Sequence, residues 1–170
     1  MSARTRHWLM KTEPDELSID ELARRGREPW TGVRSVFARF HMRQMQVGDD
    51  VLIYHSSVDP PGVAGLARVS QIGIVDETQF DPRSKYYDPK ATRARPIWDC
   101  VEVEYVSTLP SFVPLPRIRG ERALRGMVLL RIGRLSVQPV TPKQFATIVE
   151  LAATPWQPKR TAARRRRRRA

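Results

Sequence analysis

"GVAGLARVSQIGIV", residues 62–75, decides the fold. It is rich in small and β-branched side chains, shows no helical period, and reads as one long strand. Gly65 and Gly73 interrupt it, and a glycine inside a strand marks a bulge or a bend. A long strand bent twice curls its sheet. On one side "DVLIYHSS" (50–57) reads as a buried strand, joined through the tight "VDPPG" (58–62). On the other, "IWDCVEVEYVSTLP" (97–110) alternates into a strand predicted to end at Pro110. Near the N-terminus "HWLMKTEP" (7–14) supplies a short strand over 7–11, with Trp8 and Met10 on one face and Leu9 on the other.

Helical patterns flank these strands. In "ELSIDELARRG" (16–26) Ser18 is the N-cap, Glu21 completes a capping box and Gly26 ends the helix. "EPWTGVRS" (28–35) is a loop. "SVFARFHMRQMQVGD" (35–49) places Val36, Phe37, Phe40, Met42 and Met45 in a roughly helical pattern, stopped at Gly48. "DETQFDPRSKYYDPKATRARP" (76–96) has no period, and a loop of that length is functional or mobile. One short helix is expected before Gly126, and short apolar pieces surround Gly133. Thr141, Pro142 and Gln144 start a last helix with Phe145, Ile148, Val149 and Ala152 as its buried face. There is no regular βα alternation, which argues against a doubly wound sheet. The expectation is an α+β fold, a small, curled, mostly antiparallel sheet flanked by helices.

The 170 residues suffice for one domain with a real core, and 41% hydrophobic with 28% charged residues suits a globular chain. The net charge of +12 divides unevenly. Residues 157–170 carry Lys159, Arg160 and Arg164 to Arg169 with no acidic residue, which leaves +4 for residues 1–156. That division sets the expected boundary, a domain over 1–156 and a disordered Arg-rich tail over 157–170. The tail suits polyanions, and Arg164, Arg165, Arg166, Arg167, Arg168 and Arg169 are its candidate phosphate-binding residues. The single Cys100, an N-terminus without an apolar leader, and no apolar run of membrane-spanning length point to the cytoplasm and to no membrane partner.

No catalytic constellation stands out. His7, His41 and His55 lack metal-ligand spacing. Cys100 reads as a small core residue rather than a nucleophile. Asp15, Glu16, Asp20 and Glu21 gather where a helix begins, which its dipole favours. Binding features are stronger. Trp30 is either a core plug or a stacking platform. Gly32 permits close approach, and Arg34 is a fork donor for phosphate or a base edge. Tyr54, His55 and Ser56 lie at a strand end. Trp98 is either core or a further aromatic wall, and Tyr86 and Tyr87 are either a lid or solvated packing.

Six blocks carry a resemblance in order: "HWLMKTEPDELSIDEL", "PWTGVRSVFARFHMRQMQVGD", "YHSSVDPPGVAGLARV", "FDPRSKYYDPK", "PIWDCVEVEYV" and "GMVLLRIGRLSVQPVTPKQF". From about residue 7 to 152 the chain resembles the EVE domain family of the PUA-like superfamily, related to the YTH readers of methylated adenine. The resemblance implies a PUA-like, curled, mostly antiparallel β-barrel with flanking helices. It implies a non-catalytic module that binds DNA or RNA carrying a modified, methylated base, with no cofactor and no metal. Residue by residue it implies a nucleobase site at Lys11, Thr12, Trp30, Thr31, Gly32, Val33, Arg34, Ser35, Tyr54, His55, Ser56, Trp98, Ser136 and Gln138. Lys11 and Thr12 would supply a cation and a backbone N–H, Trp30 an aromatic wall, and the Thr31 carbonyl an acceptor for an exocyclic amine. Trp98 would be a second wall. Thr12, Thr31 and Ser35 depart from the Ser, Asp and Asn more frequent in the family, and Ser35 lacks an amide able to read a base edge with two hydrogen bonds. Two other readings use the same pocket: a PUA-style binder of structured RNA, and a small-molecule sensor or enzyme.

Overall fold

Alternation along β1 (His7–Thr12) sends Trp8 and Met10 to one face and Leu9 to the other, and all three are buried. A strand buried on both faces belongs in the middle of a sheet covered on both sides. The computed structural model describes residues 4–158 and shows that arrangement. The remaining strands are β2 (Arg27–Pro29), β3 (Asp50–His55), β4 (Gly62–Val75), β5 (Asp99–Pro114) and β6 (Val137–Val140). They form one sheet in the order β2-β5-β4-β3-β1-β6, in which β1 and β3 alone run parallel. The α+β class and the mostly antiparallel sheet agree with the sequence.

The expected barrel closure is corrected. The sheet is open, with β2 and β6 as its edges. Both edge strands are short, and each contains a proline, Pro29 and Pro139, with no N–H to continue a ladder. The sheet does bend where the glycines suggested. The β4–β5 register shifts between Val63 and Gly65 and again between Gln71 and Ile74, beside Gly73. At Gly65 a Cβ would lie 2.4 Å from Ile19 Cδ1 and 2.8 Å from the Ser107 carbonyl oxygen, so a helix packs on bare backbone there. Strand β5 does not end at Pro110 but runs to Pro114. Pro110 falls in the stretch skipped between the Gly65–Thr108 and Val63–Val113 pairs, where no ladder hydrogen bond is required.

The helices are α1 (Pro14–Leu17), α2 (Ile19–Arg25), α3 (Val36–Met42), α4 (Leu115–Gly120), α5 (Val128–Arg131) and α6 (Pro142–Leu151). Ile19, Leu22, Ala38 and Met42 of α2 and α3 close the core on the Trp8 face. Ile118, Leu129 and Ile148 of α4, α5 and α6 close it on the Leu9 face. The caps form where the sequence places them. Ser18 Oγ accepts from Glu21 N–H, and Thr141 with Gln144 makes a full capping box. The Glu21 side chain binds Arg24 and Arg25 instead of closing the box.

Two helix faces are corrected. In α3 the buried residues are Ala38 and Met42, continued by Met45, while Val36, Phe37 and Phe40 are 60%, 75% and 61% exposed. Close packing on the sheet selects the small Ala38, which turns the large residues to solvent. In α6 Ile148 and Ala152 are buried and Val149 is exposed. The tail residues Arg164 to Arg169 lie outside the described residues.

Candidate functional site

Strand β1 ends in polar residues because its carboxyl end opens on a cleft. Residues 11–13 with Glu16 and Leu17, residues 28–34, Ser56, the pair Lys85–Tyr86, and Gly133, Arg134 and Ser136 line about 710 Å³. A second cleft of about 630 Å³ lies at the opposite end of β1, between Arg4, Arg6, His7, Gln46 and Pro139.

The 30–34 loop is fixed from behind. Trp30 N–H donates to the Val101 carbonyl (2.8 Å), Thr31 N–H to the Pro29 carbonyl (3.0 Å) and Gly32 N–H to Asp76 Oδ2 (2.8 Å). The backbone N–H donors of these three residues are spent inward. Trp30 is 5% exposed and lines the cleft, so it is core and wall at once. Gly32 has φ +87°, and a Cβ there would stand 2.7 Å from the Tyr86 ring. Backbone conformation and close approach both require glycine.

Asp76 organises this loop. Its carboxylate accepts from Gly32 N–H, from Thr78 N–H (2.9 Å) and from Arg34 Nη1 (2.9 Å), and it is 1% exposed. Burial pushes its carboxyl up. The hydrogen bonds from Thr78, Gly32 and Arg34 outweigh that and hold it below the usual carboxylate range. Arg34 is thereby committed. Nε donates to the Tyr86 carbonyl, Nη1 to the Val33 carbonyl and Asp76, and Nη2 to Thr78 Oγ1. It lines the cleft as a brace, which corrects its reading as a fork for phosphate. Gln79, fully buried, ties the long loop together by donating to the Asp76 and Trp98 carbonyls and accepting from Ile97 and Trp98 N–H.

The opposite rim carries charge. Lys11 Nζ donates to the Gly133 carbonyl (2.6 Å) and lies 5.5 Å from the Tyr54 ring centroid, and burial pushes the ammonium below its usual range. Lys11 N–H is spent on the Ser136 carbonyl (2.8 Å) and does not face the cleft as a donor. Thr12 Oγ1 donates to the Leu17 carbonyl (3.1 Å), folding α1 over the strand end. Glu13 accepts from Ser57 Oγ (3.1 Å), and Glu16 accepts from the Tyr86 hydroxyl (2.7 Å) and pairs with Lys85. Tyr86 is therefore a wall latched to α1, and the long loop closes one side of the cleft.

Of the expected site residues, Lys11, Thr12, Trp30, Thr31, Gly32, Val33, Arg34, Ser56 and Ser136 converge here. Five do not line the cleft. Ser35 caps α3, accepting from Ala38 N–H (3.3 Å). Tyr54 is buried in the core on the Leu9 face. His55 points to the other side, where Nε2 accepts from Ile19 N–H (3.0 Å), and burial lowers its pKa against the opposing pull of Asp20. Trp98 lies behind Arg34, 5.2 Å from that guanidinium and 4.9 Å from that of Arg39, with its indole N–H on Asp88. Gln138 is fully buried and donates to the Leu135 carbonyl (2.9 Å). Glu13, Glu16, Glu28, Lys85 and Arg134 line the cleft without having been expected there from the sequence, and Tyr86 takes the first of its two readings, a wall of the cleft. For Glu13 and Arg134 the local signal is adjacency to Lys11–Thr12 and membership of "GRLS" (133–136); Lys85 has none.

Cys100 is buried away from the cleft, and burial, with the charges of Asp76 and Asp99, pushes its thiol up to about 12. Among the described residues no three His, Cys, Asp or Glu side chains gather to hold a metal. The site is an aromatic-walled cleft of mixed charge on an open, curled α+β sheet, the architecture of a small binding domain.

Residues 6–151 match the EVE domain, and the chain belongs to the EVE domain family. It is 33% identical to human thymocyte nuclear protein 1 over 164 residues, 85% of this chain and 73% of that protein. A hypothetical protein from Leishmania major superposes with a TM-score of 0.86 at 43% identity, covering 88% of this chain and 96% of the other. Human THYN1, in a crystal structure with DNA containing 5-methylcytosine, superposes with a TM-score of 0.84 at 32% identity, covering 88% and 99%.

Proposed function

We propose that this chain is a non-catalytic module that binds DNA carrying a methylated base, with the base in the cleft at the end of β1. The observation that carries the reading is the human relative of the same fold, solved with 5-methylcytosine-containing DNA. The cleft's chemistry supports it. Trp30 and Tyr86 offer aromatic surface, the Thr31 carbonyl offers an acceptor to an exocyclic amine, and Ser56 and Ser136 add small polar contacts. Stacking on such walls contributes about 1–3 kcal/mol per base, enough to offset most of the few kcal/mol needed to flip it from a duplex. A methyl group buried against them adds about 0.8 kcal/mol, or roughly a fourfold preference. The Arg-rich tail, on this reading, adds phosphate affinity without base preference.

The test is fluorescence anisotropy with duplexes that differ only by one 5-methylcytosine. The parent should prefer the methylated duplex by roughly fourfold or more. Ser136→Phe, which fills the cleft without touching the core, should abolish the preference while leaving the unfolding temperature in place. Equal affinity of the parent for both duplexes would sink the reading, and tighter binding of an RNA of the same sequence would redirect it to RNA.

A further inference from the structure

The positive charge of the described residues is concentrated on one connector. Of the net +12, eight charges lie in residues 159–170, leaving +4. Residues 115–134, which join β5 to β6, hold six arginines against the single Glu121, a net of +5. The rest of residues 1–158 therefore nets −1. Elsewhere arginines are generally paired, as in Arg27–Glu104, Arg43–Asp99 and Arg93–Glu77. On the connector Arg119, Arg122, Arg125, Arg131 and Arg134 are exposed and have no ion-pair partner among the described residues.

This charge sits on ordered backbone. Ile118, Leu124 and Met127 are fully buried beneath it and Leu129 nearly so, which fixes the points from which the arginines project. One end of the connector reaches the cleft. Arg134 lines its rim beside Gly133, whose carbonyl holds Lys11.

We propose that the connector 115–134 holds the phosphate backbone of the DNA whose base enters the cleft. The occupant rests on the reading of the cleft given above. Unpaired, exposed guanidiniums on rigid backbone suit phosphate oxygens, to which they donate two parallel hydrogen bonds without first breaking an internal ion pair. Such binding positions the strand and carries no base preference. The assignment gives the folded domain its own backbone surface, separate from the tail.

The full chain carrying Arg122→Gln, Arg125→Gln and Arg131→Gln is compared with the parent on methylated and unmethylated duplexes over a range of salt. Removing one phosphate-neutralising arginine lowers the slope of log affinity against log salt by about 0.9, so the expected drop is about 2 to 3. The methylated-to-unmethylated ratio should be unchanged, and the corresponding Arg→Lys triple should recover most of the slope. An unchanged slope and affinity in the Gln triple would overturn the proposal and leave the arginines as a solvated face. Failure of the base reading looks different. There the parent shows no methyl preference, while the slope comparison still decides the connector.

Discussion

Asp76→Ala strikes the single carboxylate that positions the cleft's back wall. The substitution leaves Gly32 N–H, Thr78 N–H and one Arg34 N–H without their acceptor in a place that is 1% exposed. Removing one partner of a buried pair costs about 3–5 kcal/mol. Arg34 keeps 21% of its side chain in water and retains bonds to the Tyr86 and Val33 carbonyls, so part of that cost is relieved. The expected loss is about 2–4 kcal/mol of unfolding free energy, read from urea denaturation with an unchanged m-value. Amide exchange at Gly32 should accelerate in the variant. Because the folded carboxyl titrates below its ordinary value, its contribution is fully present above the ordinary carboxylate range. It is lost as pH falls through the folded value, so parent and variant should converge in stability in acid. A variant within about 0.5 kcal/mol of the parent at neutral pH, the range of an ordinary surface change, would refute the role given to Asp76.

Gly32→Ala should destabilise by about 1–3 kcal/mol and weaken DNA binding, because φ +87° and the Tyr86 ring both oppose a Cβ. Adding Tyr86→Ala should recover part of the loss, and strict additivity in calorimetry would contradict the steric half of that argument. Phe37→Ser should shift stability by no more than about 0.5 kcal/mol, whereas Met42→Ala should cost about 2–5 kcal/mol, the reverse of what side-chain size alone suggests. With its thiol pushed up to about 12, Cys100 should resist alkylation at pH 8 in the folded chain and react once denatured. Rapid alkylation without denaturant would place it elsewhere.

Much of the sheet could be read from the sequence because its signals are local. Gly65 and Gly73 lie at register shifts of β4 as expected, Ser18 and Thr141 cap the helices that follow them, and Gln144 completes the Thr141 box from within α6. Barrel closure is not legible, since it depends on whether β2 and β6 meet, and nothing within Arg27–Pro29 or Val137–Val140 states that. The face of α3 misleads because large apolar residues dominate a periodicity count while packing chooses Ala38. The site divides the same way. Segments that end a strand or follow one, such as Lys11–Thr12 and Trp30–Arg34, are legible. Glu16 and Lys85 are not, and Tyr86 is legible only as one of two readings, because their convergence is made by the 76–98 loop crossing to α1, held by Asp76 and Gln79. Tyr54 and His55 look like partners of Ser56 by proximity in sequence, whereas strand alternation sends them to opposite faces of the sheet.

The central claim is that the base enters the cleft lined by Trp30 and Tyr86. Titrating isotope-labelled protein with a duplex containing one 5-methylcytosine, and following the assigned amide and indole resonances, tests it most directly. The account predicts that the largest shifts fall on the Trp30 indole and on the amides of Thr31, Gly32 and Ser136, with smaller ones along 119–134. Shifts confined to Arg4, His7 and Gln46 at the opposite cleft, with Trp30 and Gly32 unmoved, would contradict it.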